Sequence, residues 1–321
     1  MLIYFYRNLI KGRCILKNVS LKNIRKDIVS GIIVALVSIP ISMGYAQIAG
    51  LPAVYGLYCS ILPVLIYGLV TSSPQFVFGV DATPAALVGG TLATLGIVSG
   101  SEEAKAVVPS ITLVAALWLL LFFFIKAGRI VNYISTPVMG GFISGIGVTI
   151  ILMQAAKLFG GNAGTGEAIK LLMHIAGEMK SFNLLSAVLG VGTVIIILIA
   201  KKFIPKFPMS VLLMVLGALA TAIFHIDRCG VKLLPHVDKG LPGFSLPDMS
   251  VVFKNPSEII LLGLSVAGVV MAQTLLATNN YANKYGYKVS NNREILSYAA
   301  ANAASAVIGG CPLNGSVSRT G

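Results

Sequence analysis

The sequence of residues 76–84 is FVFGVDATP, and residues 85–95 continue as AALVGGTLATL. The first half is rich in β-branched and aromatic residues, which favour extended backbone. Asp81 and Thr83 are residue types that cap a helix start, and Pro84 fits a first helical turn, where its missing N–H removes no hydrogen bond. The pattern predicts an extended piece that becomes helical near Asp81, within a segment that is otherwise apolar.

A second stretch of this kind lies at residues 308–320, with the sequence IGGCPLNGSVSRT. Its Gly-Gly-Cys-Pro run interrupts an apolar helix, and the serines that follow are typical of a helix start. Broken segments at corresponding positions in two halves of a chain mark the binding sites of transporters. If both helix starts meet halfway across a bilayer, their positive dipole ends favour an anion. The alternative is a pair of Gly/Pro kinks without a ligand.

The composition around these stretches is that of a membrane protein. Of 321 residues, 56% are hydrophobic and only 11% are charged, whereas soluble domains carry about 25% charged residues. Lipid must therefore cover the surface, and each span needs about 20 apolar residues. We predict an all-α polytopic membrane protein with about nine full spans and the start of a tenth. The predicted helices lie near residues 28–48, 55–70, 80–98, 108–125, 130–155, 184–203, 208–225, 257–278 and 293–308.

The formal charge of +13 does not indicate nucleic-acid binding in such a protein. The positions of the lysines and arginines along the chain instead indicate the membrane topology. Most lysines and arginines fall in the N-terminal tail and in every second loop after it, and these loops are the shorter ones. The positive-inside rule then places the N-terminus in the cytoplasm and the chain in the cell membrane as a multi-pass protein. The four cysteines have no paired spacing, so no disulfide framework, metal site or cofactor is predicted.

Several stretches together resemble the SulP family, which includes sulfate permeases and related animal anion exchangers. The similarity begins at Asp27 and runs through nearly the whole chain in the order of the family. It is carried by DIVSG at residues 27–31, IPISMGYA at 39–46, AGLPAVYGLY at 49–58, STPVMGGFISG at 135–145, NNRE at 291–294 and GSVSRT at 315–320.

The resemblance implies fourteen membrane segments in two inverted repeats of seven, a core bundle that moves like an elevator beside a gate bundle, and a cytoplasmic STAS domain after them. Residues 1–26 are then a cytoplasmic basic tail, 27–226 the first repeat, 227–256 an extracytoplasmic loop and 257–321 part of the second repeat. Four segments and the STAS domain are absent from the sequence, so we expect a truncated fragment. Relatives also suggest a homodimer.

By the same resemblance, the substrate site lies among the first, third and tenth segments. Arg319 is the only cation that we place at membrane depth, where a guanidinium is energetically expensive and typically functional; its structural alternative is a brace between helices. Tyr45 has an equal alternative as a packing residue. The implied site residues are Ile41 and Tyr45 on the first segment, Val80, Asp81 and Ala82 on the third, and Ser316, Ser318 and Arg319 on the tenth.

Asp81 departs from the pattern of the family, which usually has a neutral or aromatic residue there. A fixed carboxylate beside an anion repels it unless a proton, a metal cation or Arg319 neutralises the charge. Many proton-coupled members carry a glutamate on the eighth segment, but the matching residue here is Gln273, which cannot titrate. We therefore hypothesise that Asp81 binds the coupling ion, a proton or sodium; the alternative is a helix N-cap.

These features predict secondary active transport of a small inorganic anion, with sulfate as the default substrate, and no enzymatic activity. Bicarbonate or a dicarboxylate are alternative substrates within the family. An anion channel is a second class, and a nucleobase transporter with the same fold is a third, although the Ser-Val-Ser-Arg-Thr run at residues 316–320 argues against it. The fragment could also be non-functional alone.

Overall fold

The computed structural model describes residues 21–129, 136–162, 164, 168–204, 209–233, 240, 243–244, 246–254 and 256–320. These residues are mostly helical. Short 3-10 turns follow three of the helices, at Ala156–Phe159, Met179–Ser181 and Ile226–Cys229. The helices are α1 Leu21–Ile48, α2 Ala53–Cys59, α3 Leu62–Val70, α4 Ala82–Thr94, α5 Glu102–Phe124, α6 Thr136–Ala155, α7 Ala168–Glu178, α8 Leu184–Phe203, α9 Met209–Phe224, α10 Met249–Lys254, α11 Pro256–Tyr285, α12 Asn291–Val307 and α13 Val317–Thr320.

Five helical stretches of the described chain are long and apolar enough to cross a membrane. They are Asp27–Ile48, Ala53–Val70, Glu102–Phe124, Leu184–Phe203 and Pro256–Tyr285. The third and ninth predicted spans form helices that are shorter than the roughly 20 residues of a typical membrane span. The third is the 13-residue helix α4, and the ninth is the 17-residue helix α12. The first residues of the predicted span 130–155 lie outside the described residues.

Two short strands interrupt the helical fold, which corrects the all-α prediction. Strand β1 is Phe78–Val80 and strand β2 is Leu313–Gly315. They pair antiparallel, with Phe78 opposite Gly315 and Val80 opposite Leu313. All six residues are buried. Extended backbone at such a depth needs partners for its N–H and C=O groups, and each strand supplies them for the other.

The core lies where α5, α11 and α12 pack together around the paired strands. Helix α12 also contacts α3, and α1 packs against α2 and α4. Three aromatic rings stack beside β1: Phe78 lies between Tyr67 and Tyr298, with centroid distances of 4.6 and 5.3 Å. Helix α8, by contrast, exposes most of its large apolar side chains. The outside of this bundle is therefore as apolar as a lipid-facing surface.

The contact between α4 and α1 depends on Gly89. A Cβ atom built on Gly89 meets the carbonyl oxygen of Ile48 and lies 3.1 Å from its carbonyl carbon, whereas a Cβ on Gly90 has nothing within 4 Å. Ile48 is the last residue of α1. Helix α4 thus approaches the end of α1 so closely that only glycine fits at position 89.

We expect Gly89→Ala to lower the free energy of unfolding by about 1–3 kcal/mol, because the new methyl group must displace backbone. Gly90→Ala is the matched control on the same helix, and it should be neutral or slightly stabilising because alanine favours helix. Thermal unfolding of both variants in the same detergent measures the difference. Equal midpoints would contradict the close approach of α4 to α1.

Candidate functional site

The paired strands lead into helices that begin at the same place. Strand β1 ends at Val80, and α4 begins at Ala82; strand β2 ends at Gly315, and α13 begins at Val317. Further hydrogen bonds close the pair: Ser316 N–H donates to the Val77 carbonyl at 2.9 Å, and Val77 N–H donates to Thr320 Oγ1 at 3.0 Å. The candidate residues of the third and tenth segments are thereby brought together.

Arg319 lies across strand β1. Its Nη2 donates to the Val80 carbonyl oxygen at 2.7 Å, and a Cβ atom built on Gly79 would lie only 3.1 Å from Nη1. The Nε atom is buried and has no hydrogen-bond partner in the structure. A buried guanidinium N–H without an acceptor is rare. The side chain is therefore held by the strand and still has a donor to offer.

Asp81 is the buried carboxylate of the site, with 5% of its surface exposed. It occupies the position before α4, with extended φ and ψ of −139° and 160°, but its side chain makes no capping hydrogen bond. Asp81 therefore occupies the N-cap position of α4, but its side chain does not cap the helix. Oδ2 accepts a 3.3 Å hydrogen bond from Asn314 Nδ2. Both side chains are described, and no carboxylate oxygen of Asp81 lies within 4.0 Å of an Arg319 nitrogen.

Asn314 organises a buried polar network that the sequence analysis missed. Its Nδ2 donates to Gln273 Oε1 at 2.8 Å as well as to Asp81, and its Oδ1 accepts from Thr274 Oγ1 at 2.6 Å. Thr274 Oγ1 in turn accepts from Gly315 N–H at 3.0 Å. Both amide hydrogens of Asn314 are used, so its orientation is fixed. The network joins α11, which carries Gln273, to both strands.

The first segment contributes Tyr45 to this site. Helix α1 contacts β1 and α13, and the half-buried Tyr45 lies close enough to Asp81 and Arg319 for their charges to act on its hydroxyl group. Tyr45 also packs against the cluster of Ala82, Met153 and Leu171. Tyr45 therefore both packs in the core and lies near the charged groups of the site.

The other predicted residues have different placements. Val80 and Ala82 are buried, and Ala82 packs in the core while Val80 presents its carbonyl to the guanidinium. Ile41 is half-buried one turn before Tyr45. Ser316 is buried, and its carbonyl accepts from Thr320 Oγ1 at 2.6 Å. Ser318 belongs to α13, and its side chain lies outside the described residues.

Glu294 is a second buried acid of this region, and its burial was not predicted from the sequence. Glu294 has no exposed surface. Glu294 lies in the first turn of α12 and binds residues 71–73, which lead into β1. The NNRE motif at 291–294 pointed to this position, but no sequence pattern connected it with residues 71–73.

The geometry suits non-covalent binding. A guanidinium with an open donor, a tyrosine hydroxyl and the amide-rich start of α4 can replace part of the hydration shell of an anion. A buried carboxylate near them can balance a bound cation or proton. Among the described residues, no group of three or more histidine, cysteine or acidic residues could hold a metal ion.

Comparison with known proteins connects this geometry with a family. A probable sulfate transporter of Mycobacterium tuberculosis is 26% identical over 298 residues, which cover 92% of the chain and 52% of the relative. The chain spans about half the length of such curated relatives. The structure of SLC26A9 has a TM-score of 0.81 at 21% identity, over 98% of this chain and 53% of that one. The membrane domain of BicA, a cyanobacterial bicarbonate transporter, has a TM-score of 0.74 at 19% identity, over 94% of this chain and 77% of that one.

The similarity to the two solved structures concerns the fold. The assignment to a family comes from the sequence profile of the sulfate permease family, which matches residues 24–321. The chain belongs to the sulfate permease family of membrane transporters.

Proposed function

We propose that the protein is a secondary active transporter of a small inorganic anion, and that the anion binds between α1, β1 and the residues around Arg319. The observation that carries this proposal is the arginine side chain. One nitrogen is fixed on the Val80 carbonyl, while the buried Nε has no partner in the structure. A guanidinium held in this way is preorganised for an oxyanion, because little side-chain entropy remains to be lost on binding.

Sulfate is the default substrate of this proposal, because the curated relatives are named sulfate transporters. Bicarbonate is the first alternative, since BicA has the same fold, and a dicarboxylate is the second. The membrane arrangement proposed with it is the inverted repeat of seven and seven segments, with residues 27–226 as the first repeat. A cytoplasmic N-terminus, an elevator-like movement and a homodimer complete the proposal.

Asp81 is the proposed coupling residue. It is buried, and the hydrogen bond that it accepts from the Asn314 side chain is long, at 3.3 Å. An ionised carboxylate with so few donors is unfavourable in a buried site. A proton or sodium ion relieves that cost, and a neutralised Asp81 no longer repels the anion. Cation and anion binding thereby support each other.

We expect Arg319→Gln to raise the apparent KM for anion uptake by about 10- to 100-fold, since a charge-assisted hydrogen bond contributes about 1.5–3 kcal/mol. Uptake of radiolabelled sulfate into proteoliposomes measures this change, with bicarbonate and a dicarboxylate as competing substrates. Arg319→Lys should recover only part of the affinity, because lysine lacks the planar fork.

Arg129→Gln is the control for Arg319, because Arg129 is an exposed arginine that follows α5. Its KM should match that of the unmodified protein. An Arg319→Gln variant with the KM of the control and normal uptake would contradict anion binding at this guanidinium.

We expect Asp81→Asn to abolish the dependence of uptake on the coupling gradient, because asparagine carries no titratable or ionised group. Initial uptake rates are compared with and without an imposed pH gradient, and with and without an imposed sodium gradient. The gradient whose effect disappears in the variant identifies the ion.

Glu103→Gln is the matched control, because it removes an acid at an exposed position in the first turn of α5. It should keep the full gradient dependence. The coupling role of Asp81 is refuted if the asparagine variant still responds to the gradient as the control does. Uptake by the unmodified protein that is indifferent to both gradients would instead favour a channel.

A further inference from the structure

Glu294 is a fully buried carboxylate that the proposed transport mechanism does not use. Its oxygens accept from the backbone N–H of Ser72 at 2.5 Å and of Ser73 at 3.1 Å. They also accept from the Ser72 hydroxyl at 2.6 Å, and Thr71 Oγ1 lies 2.9 Å from both of them. The Tyr67 hydroxyl completes the set at 3.4 Å. Every one of these donors belongs to α3 or to the turn between α3 and β1.

The donors of Glu294 are neutral. In the described part of the chain no lysine or arginine nitrogen comes within 4.0 Å of its carboxylate. Several N–H and O–H donors converge on this one carboxylate, and hydrogen bonds to a charged acceptor are the strong ones. The arrangement is therefore a clamp on residues 71–73, and not an ion pair between helices.

Neighbours of Glu294 on α12 hold the same turn. Arg293 Nε donates to the Val70 carbonyl at 2.7 Å, and Ser290 N–H donates to Ser72 Oγ at 3.0 Å. The first turn of α12 thus binds the chain between Val70 and Ser73 through side chains and backbone together. Because α12 is also packed against α3 and α5, the clamp connects the turn to the rigid core.

The clamped turn is one of several attachments of strand β1. At the strand itself, Val77 N–H is held by Thr320 and the Val80 carbonyl by Arg319, both from the tenth segment. Phe78 stacks on Tyr298, which follows Glu294 by one helical turn and so lies on the same face of α12. The position of β1 along its axis is therefore set by α12 before the strand and by the tenth segment beside it.

We propose that Glu294 is a positioning residue for the anion site, which fixes the depth at which β1 presents Val80 and Asp81 to Arg319. This inference rests on the proposed function for its effect on transport, although its effect on the strand does not. Removal of the carboxylate leaves the Ser72 amide without its acceptor and the Ser73 amide with Thr71 Oγ1 alone. The turn then loosens, and the strand can shift relative to β2.

The side chain of glutamine has nearly the same size as that of glutamate, which makes Glu294→Gln informative. Glutamine keeps one acceptor oxygen, but its amide nitrogen cannot accept from the Thr71 and Tyr67 hydroxyls. Without the negative charge, the hydrogen bonds that remain are also weaker. A purely space-filling role predicts that glutamine is better tolerated than the shorter aspartate. A clamp made of acceptors predicts the reverse, with Glu294→Asp retaining more of the native behaviour than Glu294→Gln.

The first measurement is hydrogen–deuterium exchange of the purified protein in lipid nanodiscs. We expect Glu294→Gln to accelerate exchange in peptides covering residues 71–80 by about tenfold or more, because local opening becomes easier. Peptides from α8 should be unchanged. Glu258→Gln, which removes an exposed acid from the first turn of α11, should have no effect on either region.

The second measurement is sulfate uptake by the same proteins. Glu294→Gln should raise the apparent KM by about tenfold with a smaller change in the maximal rate, as expected for a displaced binding group, and Glu294→Asp should recover part of the affinity. Should Glu294→Gln fail to fold, Thr71→Val removes one donor to the clamp, and it should give smaller changes of both kinds.

The two measurements distinguish the positioning role of Glu294 from the proposed function. Unchanged exchange at residues 71–80 in a folded Glu294→Gln or Thr71→Val protein overturns the positioning role, whatever happens to transport. Faster exchange with an unchanged KM supports the clamp on β1 and places the anion elsewhere, which contradicts the proposed function. Better tolerance of glutamine than of aspartate also overturns the inference, since it indicates packing alone.

Discussion

The pairing of β1 with β2 is the constraint on which the rest of the site depends. A helix satisfies its own backbone, but an extended segment inside an apolar bundle leaves polar groups that lipid cannot satisfy. Residues 78–80 and 313–315 solve this problem for each other. Neither break in the helical fold is stable without the other, so the two distant parts of the chain must meet.

This meeting creates the polar environment of the site. Asn314 lies on β2, and its side chain reaches both Asp81 beyond β1 and Gln273 on α11. Arg319 reaches back from α13 to Val80. Charged and amide groups therefore enter an apolar bundle only as parts of a connected network, which is how buried polar groups are tolerated. The clamp at Glu294 follows the same rule at the other end of β1.

Local features of the sequence predicted part of this structure. The aromatic and β-branched run before Asp81, and the Gly-Gly-Cys-Pro run before β2, showed where helix would give way to extended backbone. The resemblance to the family indicated Val80, Asp81 and Arg319 as site residues, and the fold brings them together. Strand pairing did not follow from these patterns, because alternation over three residues is too short to define a register.

The missed residues have a common physical reason. Asn314 contacts a residue 233 positions away, and Glu294 contacts one 223 positions away. An asparagine beside glycine is typical of a turn, and a glutamate in a first helical turn is favourable through the dipole alone. Their local signals were therefore fully explained without any distant partner. Such contacts become visible only when the packing of α11 and α12 on the strands is known.

Gly79 has a consequence of a different kind. The guanidinium of Arg319 lies against the bare backbone at this position, where an added β-carbon would be only 3.1 Å from Nη1. The position of the guanidinium thus depends on the absence of a side chain at residue 79. A methyl group there would force the guanidinium to shift by a few tenths of an ångström, so residue 79 influences where the charge lies without contributing a side chain of its own.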